Sequence, residues 1–323
     1  MTVLIIDQVA IAVSDARTVA KNYWNILGIG PWEIYNWEYP EVYDRIYHGK
    51  SSYGRELMAQ AQVGKVKLEL MQPIDEESMH KDFLREHGER FEHMRFLVEN
   101  TKEVDEVAEK LLNKGYHSLQ SAHCGIDGAF NYVDVRPLHN IWEIVCPPKA
   151  RKTKHSLYSN MAQQSPAKVT INSIDQVGIV VENVIMATEN YSSILGVGPW
   201  DILPVEEYDA DTFNYYGKPA YAKFRRAIAQ IGAIKIELIE PIDGHTIYND
   251  FLMTHGGGFH HLKFEVDSAN KVSEIAGILL GEGFQSLQSG SSKQNSSCHL
   301  IYIEPLRTIW EIVYLPIKKE EIR

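Results

Sequence analysis

Four residue types able to hold a divalent metal occupy strand-like stretches of the first half of the chain. They are Gln8 in IDQVAIAV, Glu69 in VKLELMQP, His93 in EHMRFLV and Glu143 in IWEIV. The same four types return as Gln176, Glu237, His261 and Glu311, each 168 positions further on (Gln8 to Gln176). Two carboxylates, one imidazole and one amide oxygen balance the charge of a divalent ion. Mixed oxygen and nitrogen donors of this kind suit Zn, Ni, Co, Mn or Fe(II). Four protein ligands on a metal that accepts five or six leave positions for water or for two substrate oxygens. A strand Gln alone is ordinarily a paired amide, and a Glu near a strand end is ordinarily solvated. The recurrence of the whole set, on equivalent strands, is what marks it as a site.

The elements that must position these residues are themselves duplicated. IDQVAIAV returns as IDQVGIVV, ILGIGPW as ILGVGPW and VKLELMQPID as IKIELIEPID, while SLQS and IWEIV recur unchanged, all at the same offset. Between the copies, PPKARKTKHSLYSNMAQQSPAK is basic, polar and aperiodic, so the chain divides into a first domain (1–148), a linker (149–169) and a second domain (170–323). Within the first copy, a short alternating strand (Ile6 to Val13) leads into the helical stretch ARTVAKNYWNIL, which ends at Gly28. Strands follow around Tyr35, Tyr47 and Leu57 and over Val66 to Met71. A second round has a strand at His93 to Val98, the helix VDEVAEKLLNKG, and strands near Tyr132 and over Trp142 to Val145. Each copy is thus two modules, with a ligand type in each opening strand and an acid in each closing strand. Because strand side chains alternate faces, Glu69 and Glu143 share a face opposite their apolar neighbours, and buried carboxylates there need a cation. The modules can close a site within each copy, or pair across copies so that Gln8 and Glu69 meet His261 and Glu311.

These motifs resemble the vicinal oxygen chelate, or glyoxalase, superfamily. IELIEPIDGHTIYNDFLMTHGGGFHHLKFEVD resembles methylmalonyl-CoA epimerase, with acid-bearing strand, Pro, FL, HG and HH in the same order. The resemblance implies an α+β fold: tandem domains, each of two βαβββ modules forming a curved, cavity-lining sheet. It also implies a metal-dependent isomerase, epimerase or lyase that polarises a carbonyl, removes the adjacent proton and stabilises the resulting enolate. The substrate would be a small carbonyl compound, acyl thioesters among them. Glu143 and Glu311 are the expected bases, and Glu56 lies near a further acid of the epimerases. Gln8 and Gln176 stand where the epimerases carry His, which is closer to the Gln, Glu, His, Glu set of animal and yeast glyoxalase I. Extradiol-type or other oxygenases and non-catalytic small-molecule-binding proteins of the same fold are the alternatives. Extradiol enzymes use two histidines and one carboxylate, and the binding proteins usually lack the ligands.

The copies differ around the ligands. Glu56 faces Phe224 in the comparison, Glu92 faces His260, and YNWEYPEVYDRIYHG differs from LPVEEYDADTFNYYG at most positions, as a substrate-shaping region would. A net charge of -11 argues against nucleic acid or an anionic membrane as partner. No segment has the length and apolarity of a membrane span. Three cysteines without CxxC spacing indicate neither a disulfide framework nor a zinc ribbon, and fit a cytoplasmic protein, a monomer or homodimer.

Overall fold

The structure, a computed structural model, describes residues 5–153, 156–157, 164–292 and 296–316. Local signals set the helices. Ala16–Leu27 buries Ala16, Val19, Ala20, Tyr23 and Leu27, a single stripe at helical spacing. Asp15 caps its first turn by accepting from the Thr18 amide, and Gly28, at φ +67°, ends it in the left-handed region. Val184–Leu195 repeats the design, with Asn183 as cap and Gly196 at the end.

Each half builds one strongly curved sheet. In the first half the strands run in the order 33–37, 56–63, 66–73, 5–12, 90–97, 140–146, 128–135, 117–124 and 42–47. The two modules meet where Ile5–Ala12 pairs antiparallel with Arg90–Leu97, and each of these central strands pairs parallel with its own acid-bearing strand, Val66–Pro73 or Asn140–Cys146. The second half repeats this with Gln176–Val180 against Gly258–Glu265. Each copy therefore closes its own site, and the arrangement across copies is not adopted. The strand Val42–Tyr47 leaves the first module and adds to the far edge of the second beside His117–Cys124. Strands beyond those expected, His117–Cys124 among them, complete each sheet.

The halves pack about a pseudo-twofold axis with a continuous apolar core. Tyr23 shares a 2.9 Å hydrogen bond with Thr308, and Asn140 donates to the Tyr191 hydroxyl at 2.5 Å, the equivalent contact with the halves exchanged. Phe91 and Phe259 meet at 4.6 Å between ring centroids. Among the described residues no helix is long and apolar enough to cross a membrane.

Candidate metal centre

Register explains how the first set converges. Glu69 and His93 both lie opposite Ala10, from either side, so only a methyl group separates the two side chains on the concave face. Glu143 joins from the next strand, opposite Arg95. His93 Nε2 lies 3.5 Å from Glu69 Oε2 and 3.8 Å from Glu143 Oε2. Two donors each about 2.1 Å from one ion, at roughly tetrahedral angles, would be about 3.4 Å apart. Both His93 Nε2 and Glu143 Oε2 are buried without a hydrogen-bond partner among the described residues. Gln8 reaches the cluster through its amide nitrogen, which donates to Glu69 Oε2 at 2.7 Å, while Gln60 donates to the Gln8 oxygen at 3.1 Å and to Glu69 Oε1 at 2.5 Å. A half-turn of the Gln8 amide would present its oxygen instead.

The supporting shell fixes the imidazole. Glu92 Oε2 lies 3.0 Å from His93 Nδ1 and 2.7 Å from His80 Nδ1. A proton on His93 Nδ1 directed at this carboxylate leaves the Nε2 lone pair for a metal. Burial opposes ionisation of Glu92, but His80 and His93 outweigh it and hold its pKa down to about 2. Burial likewise opposes a charged His93, yet Glu69, Glu92 and Glu143 raise it to about 10. Burial pushes Glu143 up to about 7 against the pull of His93 and Arg95. Glu92 is shared by His80 and His93, which leaves Glu69 and Glu143 as two buried acids about the His93 Nε2, a donor set that fits a divalent ion.

One further interaction keeps the position clear. Arg95, two residues beyond His93 on the same face, is drawn aside by a bidentate pair with Asp7 at 2.9 and 2.6 Å. Glu69 and Glu143, with Gln60, line a cavity of about 610 Å³ walled by Tyr35, Trp37, Met58 and Val145, and His93 lies buried behind the two acids. Glu56, expected as a further acid, is absent from that lining. It is buried in a pair with Arg45 and accepts from Ser78 at 2.8 Å.

The second set also gathers, but a side chain fills its centre. Lys263, the counterpart of Arg95, is 1% exposed and places Nζ 2.5 Å from Glu237 Oε2 and 2.9 Å from Glu311 Oε2. Arg226, where the first half has Met58, adds a 2.8 Å bond to Glu237. His261 Nε2 lies 3.0 Å from Glu311, and Gln176 donates outward to Glu265. Asp175, the counterpart of Asp7, accepts instead from the Glu265 amide at 2.8 Å and from Ser173 at 3.0 Å, so it does not draw Lys263 away. Gly178 stands in place of Ala10, and a Cβ there would fall 2.1 Å from His261 Cε1, so this ring occupies space that Ala10 denies to His93. The adjoining cavity is about 30 Å³. As these residues stand they do not fit a metal: two of their own cations neutralise the acids.

Gln60, His80, Asp7, Arg95, Lys263 and Arg226 join the two clusters through the fold and not through the ligand motifs. The substitutions Met58 to Arg226 and Arg95 to Lys263 are visible at the repeat offset and were the available signal.

Duplicated halves of paired modules, with a buried imidazole and carboxylates on the concave sheet, define a class of metal-site scaffold. The chain belongs to the Glyoxalase/Bleomycin resistance protein/Dioxygenase superfamily, whose family model matches residues 7–130 and 175–302. The uncharacterised protein YqjC of Bacillus subtilis (strain 168) is 27% identical over 145 residues, 45% of this chain and 91% of that protein. Among solved structures, a mutant of 4-hydroxymandelate synthase from Streptomyces coelicolor aligns with a TM-score of 0.55 at 15% identity, covering 98% of this chain and 95% of the other. The Mn(II)-bound glyoxalase from Novosphingobium aromaticivorans aligns with a TM-score of 0.47 at 12% identity, covering 97% and 82%.

Proposed function

We propose that the first half is the centre of a metal-dependent isomerase, epimerase or lyase acting on a carbon next to a carbonyl, with the second half as its structural partner. The observation that carries this reading is the pair of buried, unpartnered atoms, His93 Nε2 and Glu143 Oε2, converging beside Glu69, with the two acids on the cavity wall. A bound divalent ion supplies electrostatic stabilisation to a substrate oxygen as it gains negative charge.

The remaining work belongs to side chains. Glu69, steadied by Gln60, and His93, steadied by Glu92, are the ligands, with Gln8 beside them. Glu143 is the base: with no donor on Oε2, it takes the proton from the carbon and, in an isomerase, returns it to a neighbouring atom on the same face; in an epimerase a second donor delivers the proton to the opposite face. Tyr35, Trp37, Met58 and Val145 give the substrate an apolar wall beside these acids. Glu311 is held by Lys263 and His261, so we assign it no proton transfer. Glu56 holds Arg45 in place. One imidazole with two acids supports this chemistry over an extradiol oxygenase, which uses two imidazoles and one acid.

The test is proton exchange. Protein loaded with Mn(II), Zn(II), Ni(II), Co(II) or Fe(II) is incubated in deuterated water with α-hydroxy ketones, β-dicarbonyls and acyl thioesters, and loss of the α-proton is followed by NMR. Exchange in the wild type, slowed about 100-fold or more in Glu143→Gln, is expected. Oxygen consumption by the Fe(II) form without exchange would replace this reading with an oxygenase. Ligand binding with neither reaction would leave a binding protein.

A further inference from the structure

We propose that the substrate of the first half carries an oxyanion group, a carboxylate or a phosphate monoester, besides the oxygen it presents to the metal cluster, and that Arg151 and Lys67 receive it. This rests on the metal-centred reading of the same cavity.

The cavity is closed on one side by residues 147–153, which lie mostly in the segment expected as linker. Pro147, Pro148, Lys149, Ala150, Arg151 and Thr153 all line it. This strap is fastened. Glu41, fully buried, accepts from the amides of Lys152 and Thr153 at 2.7 and 2.9 Å and from the Thr153 hydroxyl at 3.2 Å. Ile126 donates to Ala150 at 2.8 Å and accepts from Lys149 at 2.9 Å. The strap runs so close over the Gly125 turn that a Cβ there would fall 2.5 Å from the Ala150 oxygen. Arg151 is therefore held in place before any ligand arrives, which lowers the cost of ordering it on binding.

Charge then singles out two groups. Four cations line the cavity: Lys67, Arg95, Lys149 and Arg151. Arg95 is paired with Asp7, and Lys149 with Asp127 at 2.9 Å. Lys67 and Arg151 have no ion pair among the described residues. The acids on the lining, Glu69 and Glu143, belong to the cluster and would be neutralised by a divalent ion. The loaded cavity thus has two positive charges in excess. The Arg151 guanidinium lies 3.8 Å over the Tyr35 ring and 6.0 Å from that of Trp37, and its Nη1 is buried with no hydrogen-bond partner among the described residues. Stacking on Tyr35 alone leaves that nitrogen without an acceptor. A planar fork on an aromatic floor is suited to a carboxylate or phosphate.

The test uses three metal-chelating hydroxamates on Mn(II)-loaded protein by calorimetry: acetohydroxamate, N-hydroxysuccinamate with a terminal carboxylate, and the analogue with a terminal phosphonate. One anionic probe should bind about 10- to 100-fold more tightly than acetohydroxamate, the range expected of charged hydrogen bonds. Which probe wins identifies the anion. Arg151→Met and Lys67→Met should each reduce that preference while leaving acetohydroxamate affinity and metal content unchanged, and Lys149→Met should preserve it. Equal affinity for all three probes, or a preference that survives both substitutions, overturns the proposal. Failure of acetohydroxamate itself to bind tells against the metal reading instead. In that event succinate is titrated into metal-free protein, with Trp37 fluorescence as the signal. Binding lost in Arg151→Met sustains the anion site, and no binding in the wild type refutes it.

Discussion

Replacing Lys263 with Met tests whether the second half is held together by its own cation. The change keeps much of the side-chain volume and removes a charge that bridges Glu237 and Glu311, all three residues being at most 4% exposed. Breaking a buried ion pair by deleting one partner costs about 3–5 kcal/mol, because the other charge remains buried. Arg226 still holds Glu237 and His261 still holds Glu311, so the lower end, about 3 kcal/mol, is expected. At roughly 2–4 °C per kcal/mol for a domain of this size, the melting temperature should fall by about 6–12 °C. The loss should depend on pH with a definite sign. Burial disfavours the charged forms of Glu237 and Glu311, but Lys263 is the leading influence that lowers both pKa values below the ordinary carboxylate range. Their contribution is complete above the unfolded pKa of about 4.3 and is lost as the pH falls through the folded values. Wild type and variant should therefore converge in acid. An unchanged melting temperature at neutral pH, or a gap that widens in acid, would refute the reasoning.

Other changes probe the first half and the packing. Glu92→Gln should weaken metal binding about 10- to 100-fold by calorimetry without changing the stoichiometry, since it loosens the support on His93. Gly178→Ala forces the His261 ring to move from a 2.1 Å contact and should cost about 1–3 kcal/mol in a denaturant titration, whereas Ala10→Gly should cost little. Glu56→Gln leaves Arg45 buried without its counter-charge and should lower the melting temperature with metal content intact; retained exchange activity in the folded fraction would support a holding role, and a selective loss of turnover would contradict it.

The repeat, the module order and the gathering of Glu, His and Glu in each half were legible because each rests on local pattern: alternation in strands, a glycine-ended helix, and acids on a face that must be buried. What separates the halves was not, because it depends on partners distant in sequence. Lys263 turns inward because Asp175 is engaged elsewhere, whereas Arg95 turns aside because Asp7 takes it. Glu56 looked like a pocket acid by its strand position. Its pairing with Arg45 arises only because the strand Val42–Tyr47 crosses to the far edge of the sheet. Arg151 looked like linker composition until its neighbours were fastened by Glu41.

Metal content tests the central claim most directly. Purified protein saturated with Mn(II) or Zn(II), freed of excess ion and measured by elemental analysis, should hold one ion per chain, with the ion lost in His93→Ala and retained in His261→Ala. Two ions per chain, or loss in His261→Ala with retention in His93→Ala, would contradict the account.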